Sequence, residues 1–272
     1  MAAPRLGVVT FGHSGGTELG ADLSASLPGC DVIEEGLLDD VTEASLRSWQ
    51  AGPASAEGTV VHLRDGRELT IESAPLLALV GPALVRLAVS RPQVVLYGCA
   101  GPLPDYPLLG GVAAVHPRRV LLDFVTATVP HGKVGVLVPA PLQIEATGRS
   151  YRAPGREVDA RSVSPEDRQA VLAAAAMLGA DGAQLVVLGC FDYTLSDLRA
   201  ARAATSCPVT SSRQLAIGAV RDLLARPVGP GAAAVPPGPR LPPGNMSTSL
   251  SNGEGFGNSK EMKLTQKGNE RA

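Results

Sequence analysis

The sequence predicts an α/β fold with two pseudo-symmetric lobes, each a mostly parallel sheet flanked by helices. Three observations predict it. Short apolar runs alternate with segments of helical spacing, which is typical of parallel sheets covered by helices. Residues 93–99 (QVVLYGC) match residues 184–190 (QLVVLGC), so the chain contains an internal repeat. Hydrophobic residues make up 44% and aromatic residues only 3%, so we expect a large aliphatic core.

The first half carries the signals of strands, helices and one hairpin. Apolar runs that end at glycine or polar turns predict the strands, and helical spacing predicts the helices. An Asp65-Gly66 turn between two alternating segments predicts the hairpin, and Gly81-Pro82 is expected to kink the helix around it. In chain order we expect a strand at 6–12, a helix at 17–27, a strand at 31–35, a short helix at 42–47, the hairpin at 58–71, a helix at 74–90 and a strand at 93–97.

The second half repeats this alternation without the hairpin, so the first half resembles the second plus an insertion at 36–71. Ser164 and Pro165 predict an N-cap and first turn, Thr194 and Asp197 a capping box, and Ser212 the cap of the last helix. We expect helices within 116–125 and at 141–148, 164–178, 194–204 and 212–225, with strands at 133–139, 157–160, 184–188 and 207–210.

Composition excludes several classes of protein. The net charge is -2 and the first 226 residues show no basic stripe, which argues against nucleic acid as a partner. No apolar run is long enough for a membrane span, and no signal peptide is visible, so a cytoplasmic location is expected. The cysteines form no CxxC pair or Cys/His cluster, so no metal site is expected. Residues 227–272 are rich in Pro, Gly and Ser and are predicted to be a disordered tail.

Two matched cysteines are the candidate catalytic residues. Cys99 and Cys190 each follow a glycine at the end of a predicted buried strand, where parallel sheets bind their ligands. If the halves face each other, the two thiols oppose each other across one cleft, which suits proton transfer at carbon. The alternative is that both are buried structural cysteines. Cys30 and Cys207 are better explained as small apolar fillers.

Polar residues at the predicted strand ends are candidate binding residues. The loop after the first strand precedes a helix, whose N–H groups can bind an anion, although a plain tight turn is the alternative. His13 is a candidate base or activator of a thiol. Ser211 and Ser212 follow the last strand, and Asp192 and Tyr193 stand beside Cys190. With the loop positions, the full set of candidate binding residues is Thr10, Gly12, His13, Ser14, Gly101, Asp192, Tyr193, Ser211 and Ser212.

The order of these motifs resembles the AroM family. The resemblance rests on residues 10–12 (TFG), 36–39 (GLLD), 63–66 (LRDG), 135–139 (GVLVP) with Gln143, and 189–193 (GCFDY), and covers about residues 5–226. The chain departs from the family pattern in the first turn, where an arginine is missing, and after Cys99, where Ala100 replaces a threonine. That family is similar to aspartate, glutamate and hydantoin racemases, maleate isomerases and arylmalonate decarboxylases.

The resemblance implies a racemase-like fold and a cofactor-independent enzyme. One lobe is expected to hold residues 1–112 with 211–226, and the other residues 113–210. The implied function is a racemase or isomerase that acts on a small carboxylate metabolite through two cysteines, with a homodimer as the candidate assembly. Two alternatives remain: a non-catalytic or regulatory metabolite-binding protein, and a decarboxylase or isomerase that uses a single cysteine.

Overall fold

The computed structural model describes residues 3–52, 58–106 and 111–225, which form ten strands and eight helices. The predicted tail at 227–272 lies outside the described residues. The strands are β1 (Arg5–Thr10), β2 (Asp31–Gly36), β3 (Gly58–His62), β4 (Glu68–Glu72), β5 (Val94–Gly98), β6 (Ala113–Val115), β7 (Gly132–Val138), β8 (Arg156–Ser162), β9 (Leu185–Leu188) and β10 (Val209–Ser211). The helices are α1 (Leu19–Ser26), α2 (Glu43–Ser48), α3 (Ser73–Val89), α4 (Pro117–Thr128), α5 (Gln143–Tyr151), α6 (Arg168–Ala180), α7 (Leu195–Ala204) and α8 (Ser212–Leu224).

Two parallel sheets carry the fold, as the sequence predicts. One has the strand order β2-β1-β5-β6 and the other the order β10-β9-β7-β8. Every neighbouring pair in both sheets is parallel. Read from the opposite edge, the second sheet repeats the order of the first, which agrees with the internal repeat. The short strand β6 was not predicted; it begins just after the expected lobe boundary at residue 112 and pairs in the first sheet.

Each sheet is covered by helices on both faces, because its strand residues alternate between two cores. Leu6 and Val8 of β1 pack with α1 and α8, whereas Val9 of the same strand packs with α3. In the second sheet, Leu137 of β7 packs with α6 and α7, and Val136 packs with α4 and α5. Buried alternation of this kind follows from the two-residue period of a strand.

The hairpin β3–β4 forms an antiparallel pair outside both sheets. Its turn contains Gly66 at φ 85°, a conformation that glycine adopts without steric cost. Val61 and Ile71 of the hairpin share a small core with Leu46 of α2 and Leu76 of α3. The insertion predicted at 36–71 is therefore anchored to the first half of the chain by its own apolar contacts.

Helix starts were predicted with mixed success. Thr194 and Asp197 form the predicted capping box of α7. The helix expected from Ser164 begins instead at Arg168, because the side chain of Asp167 accepts the Ala170 N–H and caps it, while Ser164 closes the turn before it. At α8 the cap is Ser211, which accepts the Gln214 N–H, and Ser212 already lies in the helix.

Candidate active site

A cavity of about 480 Å³ lies at the carboxyl ends of strands from both sheets. Its floor contains Thr10 at the end of β1, Gly98 at the end of β5 and Val138 at the end of β7. The hairpin, the start of α3, and helices α4 and α5 form its walls. Parallel sheets bind ligands at this edge, so the fold places the cavity where a substrate site is expected.

Both candidate catalytic cysteines line this cavity. Cys99 and Cys190 are partly buried, and neither forms a disulfide. The Gly101 N–H donates to Cys99 Sγ at 3.2 Å. Nevertheless, burial raises the pKa of Cys99 to about 11; the Gly101 amide lowers it, the charge of Asp192 raises it further, and the charge of Arg118 lowers it. Desolvation of the Cys99 thiolate therefore outweighs the help that it receives from the loop amide.

Cys190 has an anionic neighbour instead of a cationic one. Its Sγ donates to Asp192 Oδ2 at 3.3 Å. The pKa of Cys190 lies well above its usual value, first because of burial and then because of the Asp192 charge. Asp192 thus opposes ionisation of both thiols, but it bonds directly only to Cys190, whereas Cys99 also has the opposing influence of the Gly101 amide and of Arg118.

His62 reaches the same carboxylate from the hairpin. Its Nε2 lies 3.5 Å from Asp192 Oδ1 and its Nδ1 lies 3.1 Å from Glu68 Oε1. The first contact lacks the alignment of a good hydrogen bond, so we treat it as an ion pair. The pKa of His62 is raised chiefly by Asp192; burial opposes this, and the charges of Glu68 and Glu166 add to it.

Backbone contacts fix the hairpin in this position. The His13 N–H donates to the carbonyl oxygen of His62 at 3.0 Å. A Cβ atom at Gly12 would collide with that same oxygen, so glycine is required for this close approach. The loop after β1 therefore holds the hairpin against the cavity.

Arg118 supplies the cation that the sequence analysis considered missing. It stands in the first turn of α4 and lines the cavity, where its Nη2 donates to Ser150 Oγ at 2.7 Å. Among the described residues, no carboxylate forms an ion pair with it. Its neighbour Arg119 points elsewhere and pairs with Asp105 on the surface. A partly buried guanidinium without an anion is suited to bind a carboxylate.

The predicted binding residues fall into two groups. Those that line the cavity are Thr10, Gly12, Gly101 and Asp192. Those outside its lining are His13, Ser14, Tyr193, Ser211 and Ser212. Further polar residues of the lining were missed by the sequence analysis: Thr17, Thr59, His62, Ser73, Arg118, Gln143, Thr147, Ser150 and Tyr151.

Internal hydrogen bonds explain why the second group lies outside. The N–H and hydroxyl of Ser14 both donate to Asp39 Oδ1, so the predicted anion-binding loop is occupied by a carboxylate of the chain itself. His13 Nδ1 accepts the Arg64 N–H at 3.3 Å. The Tyr193 hydroxyl donates to a backbone carbonyl, Ser211 caps α8, and Ser212 Oγ donates to the Cys190 carbonyl. The two serines thus bond to the backbone of α8 and of the Cys190 loop and do not line the cavity.

Arg213 anchors the loop that carries Cys190. Its side chain is 2% exposed, its Nη1 lies 2.8 Å from Asp22 Oδ2 of α1, and its Nε donates to the Phe191 carbonyl at 2.7 Å. Asp22 also accepts the Leu195 N–H at 3.1 Å. One buried ion pair therefore joins α1, α8 and the backbone between Cys190 and Asp192.

Neither a metal-ligand cluster nor a membrane-spanning helix occurs among the described residues. No group of three or more His, Cys, Asp or Glu side chains there is arranged to hold a metal ion. None of the helices described has the length and apolar character to cross a bilayer.

Comparisons with known proteins agree with this architecture. The AroM protein family matches residues 6–224. No curated protein matches the sequence. The maleate isomerase from Pseudomonas putida S16 is similar with a TM-score of 0.52 and 17% identity, over 81% of this chain and 92% of that chain. Allantoin racemase from Klebsiella pneumoniae has a TM-score of 0.52 and 15% identity, over 82% of this chain and 88% of that chain. A glutamate racemase from Bacillus anthracis has a TM-score of 0.50 and 14% identity, over 82% of each chain. At these identities the likeness is one of fold.

Proposed function

Since the chain belongs to the AroM family and has a racemase-like fold, we propose that it is a cofactor-independent racemase or isomerase acting on a small carboxylate. One observation carries the proposal. Cys99, Cys190 and the guanidinium of Arg118, which has no anionic partner among the described residues, line one cavity. Two thiols and one carboxylate-binding cation suit proton transfer beside a carboxylate in which one thiolate removes a proton and the other thiol supplies one.

The charges around the thiols suggest their roles. Asp192 opposes ionisation of both thiols, but only Cys99 has the Gly101 amide and Arg118 to favour its thiolate, so the Cys99 thiolate takes the proton from the carbon next to the substrate carboxylate. Cys190, held as a thiol beside Asp192, gives its proton to the opposite face of that carbon. The substrate carbon exchanges one proton for another, and Cys99 ends as the thiol and Cys190 as the thiolate. Because the pKa of Cys99 is about 11, only a small fraction of it is thiolate at neutral pH, but that thiolate is a stronger base than an ordinary one. A stronger base suits removal of a proton from a weakly acidic C–H bond.

The cavity also suggests a class of substrate. Arg118 is suited to bind a single carboxylate, whereas His62 is already paired with Asp192 and Glu68. Much of the remaining wall is apolar, including Leu76, Leu77, Leu103, Leu121 and Leu142. A monocarboxylate with an apolar substituent therefore fits the described residues better than a dicarboxylate, whose second charge would be desolvated without a partner.

A binding protein is the second candidate. It is favoured by the raised pKa of both thiols, because thiols that stay protonated at neutral pH are poor bases and poor nucleophiles. In that case Arg118 retains its role and the cysteines serve only as cavity walls. A decarboxylase that uses Cys190 alone as its proton donor lies between these two functions.

The deciding experiment measures exchange of the proton next to the carboxylate in deuterated water by NMR. The compounds are mandelate, 2-phenylpropionate, aspartate and glutamate, with phenylmalonate added to reveal decarboxylation. The two-thiol function predicts exchange that Cys99→Ser and Cys190→Ser each abolish, with Cys207→Ser as the control. Loss with Cys190→Ser alone indicates the one-thiol reaction. No exchange or decarboxylation of any compound, together with binding, indicates the binding protein.

Binding is tested through Arg118. Loss of a charged hydrogen bond costs about 1.5–3 kcal/mol, so Arg118→Gln should weaken binding of phenylacetate about 10- to 150-fold in calorimetry. Arg119→Gln is the matched control, since that guanidinium pairs with Asp105 at the surface, and should leave affinity unchanged. Equal affinity in wild type and Arg118→Gln would contradict the assignment of the carboxylate site.

A further inference from the structure

Within the described residues, an antiparallel hairpin occurs only in the first half of the chain, yet it contacts the loop of the second cysteine. His62 closes β3, opposite Glu68 in the antiparallel register. Its side chain is 24% exposed and lines the cavity, and its backbone carbonyl is held by the loop after β1. The insertion therefore delivers one titratable group to the cavity in a fixed position.

Asp192 connects this group to the thiol. Its Oδ1 faces His62 Nε2 at 3.5 Å, while its Oδ2 accepts the Cys190 thiol at 3.3 Å. Glu68 holds the other ring nitrogen of His62 at 3.1 Å. A carboxylate that binds a cation with one oxygen and a thiol with the other transmits the charge state of the first to the second.

We propose that His62 is a positioning residue for Cys190 and acts on it through Asp192. The imidazolium neutralises the carboxylate beside the thiol, so that Cys190 gives up its proton more readily than it would beside an unpaired anion. When His62 loses its proton, Asp192 opposes formation of the Cys190 thiolate with its full charge. The hairpin thereby sets how easily Cys190 donates to a substrate carbon. The catalytic meaning of this inference rests on the proposed function, but the coupling itself is measured without a substrate.

The other charged groups near these residues leave the direction unchanged. His62 also faces Glu68 and Glu166, and both favour its charged form. Asp192 also experiences the charge of Arg213, and Cys190 that of Cys99. Burial alone would raise the pKa of Asp192, but His62 is the strongest of the partners that together lower it, so the carboxylate stays ionised around neutral pH.

The test is the rate at which iodoacetamide modifies Cys190, followed by mass spectrometry of the peptide that contains it. At pH 7, His62→Gln should slow this modification at least about fivefold. Without the imidazolium, Asp192 opposes formation of the Cys190 thiolate, and only the thiolate reacts with iodoacetamide. An Asp192→Asn background removes the carboxylate that connects His62 to the thiol, so adding His62→Gln there should change the rate less than about twofold. His131→Gln, at an exposed histidine of the second half, is the matched control and should leave the rate unchanged.

The pH profile separates this role from a structural one. In wild type the logarithm of the rate should rise with a slope below one across the titration of His62, because loss of the imidazolium opposes thiolate formation; in His62→Gln the slope should be one. Melting temperatures of all variants show whether each is folded. An unchanged rate in a folded His62→Gln, or an equal change in the Asp192→Asn background, would overturn the inference. Neither result depends on whether the protein turns out to be an isomerase.

Discussion

Replacing Arg213 by methionine tests whether one buried ion pair holds the cysteine loop in place. The Arg213 side chain is 2% exposed and that of Asp22 is 16% exposed. The substitution leaves Asp22 without its cation and the Phe191 carbonyl without its donor. Breaking one partner of a buried pair costs about 3–5 kcal/mol. At roughly 2–4 °C per kcal/mol for a chain of this size, we expect the melting temperature to fall by about 6–20 °C.

The free energy is measured by urea unfolding and the melting temperature by heating, both followed by far-ultraviolet circular dichroism, with Arg221→Met as the matched control. Arg221 lies on the same helix and also reaches α1, through a hydrogen bond from its Nε to the Ser26 carbonyl, but it is exposed. Its replacement should cost less than about 0.5 kcal/mol. A double variant, Arg213→Met with Asp22→Leu, should recover part of the loss, because no unpaired charge remains buried. A loss below about 1 kcal/mol in Arg213→Met, or an equal loss in Arg221→Met, would refute the reasoning.

Two smaller predictions concern Asp39 and Thr194. Burial raises the pKa of Asp39, but hydrogen bonds from Ser14 and Gly36 lower it by more, so the pKa is lower in the folded protein. The stability that these hydrogen bonds provide is therefore complete above the unfolded pKa of Asp39, about 3.9, and is lost as the pH falls through the folded pKa. Asp39→Asn should therefore cost about 1–3 kcal/mol in urea unfolding at pH 7 and progressively less between pH 4 and 2; a constant difference would contradict this. Thr194→Ala removes one half of the capping box of α7 and should cost about 1 kcal/mol in the same assay, and no measurable cost would show that the cap is dispensable.

The fold was predictable because its signals are local. The buried strands β5 and β9 are short apolar runs that are followed or ended by Gly98 and Gly189. The matching sequences around these strands indicated the internal repeat. The turn at Asp65 and Gly66 predicted the hairpin in the same way. The start of α6 was missed because Ser164, Pro165 and Asp167 all resemble helix starts, and only the geometry of the preceding turn selects Asp167.

The candidate site was predicted only in part, because its remaining members depend on the orientation of whole elements. Cys99 and Cys190 stand at strand ends, where a ligand is expected. Arg118 and Arg119 are adjacent and resemble a solvated pair, and only the packing of α4 turns one into the cavity and the other to the surface. His62 is far from Asp192 in sequence. No local sequence pattern predicts that the hairpin of the first half contacts the Asp192 loop of the second half.

The matching strand orders of the two sheets have a stereochemical consequence. A cavity with perfect two-fold symmetry would present identical surroundings to both faces of a planar carbon and would favour neither mirror image. Here two elements break that equivalence, since Arg118 of α4 acts on one thiol and the other donates to a carboxylate that His62 of the hairpin contacts. Mirror-image substrates have equal free energies, so kcat/KM for their interconversion must be the same in both directions. The unequal surroundings of the two thiols would therefore appear as kcat and KM values that differ in the same proportion between the two mirror images.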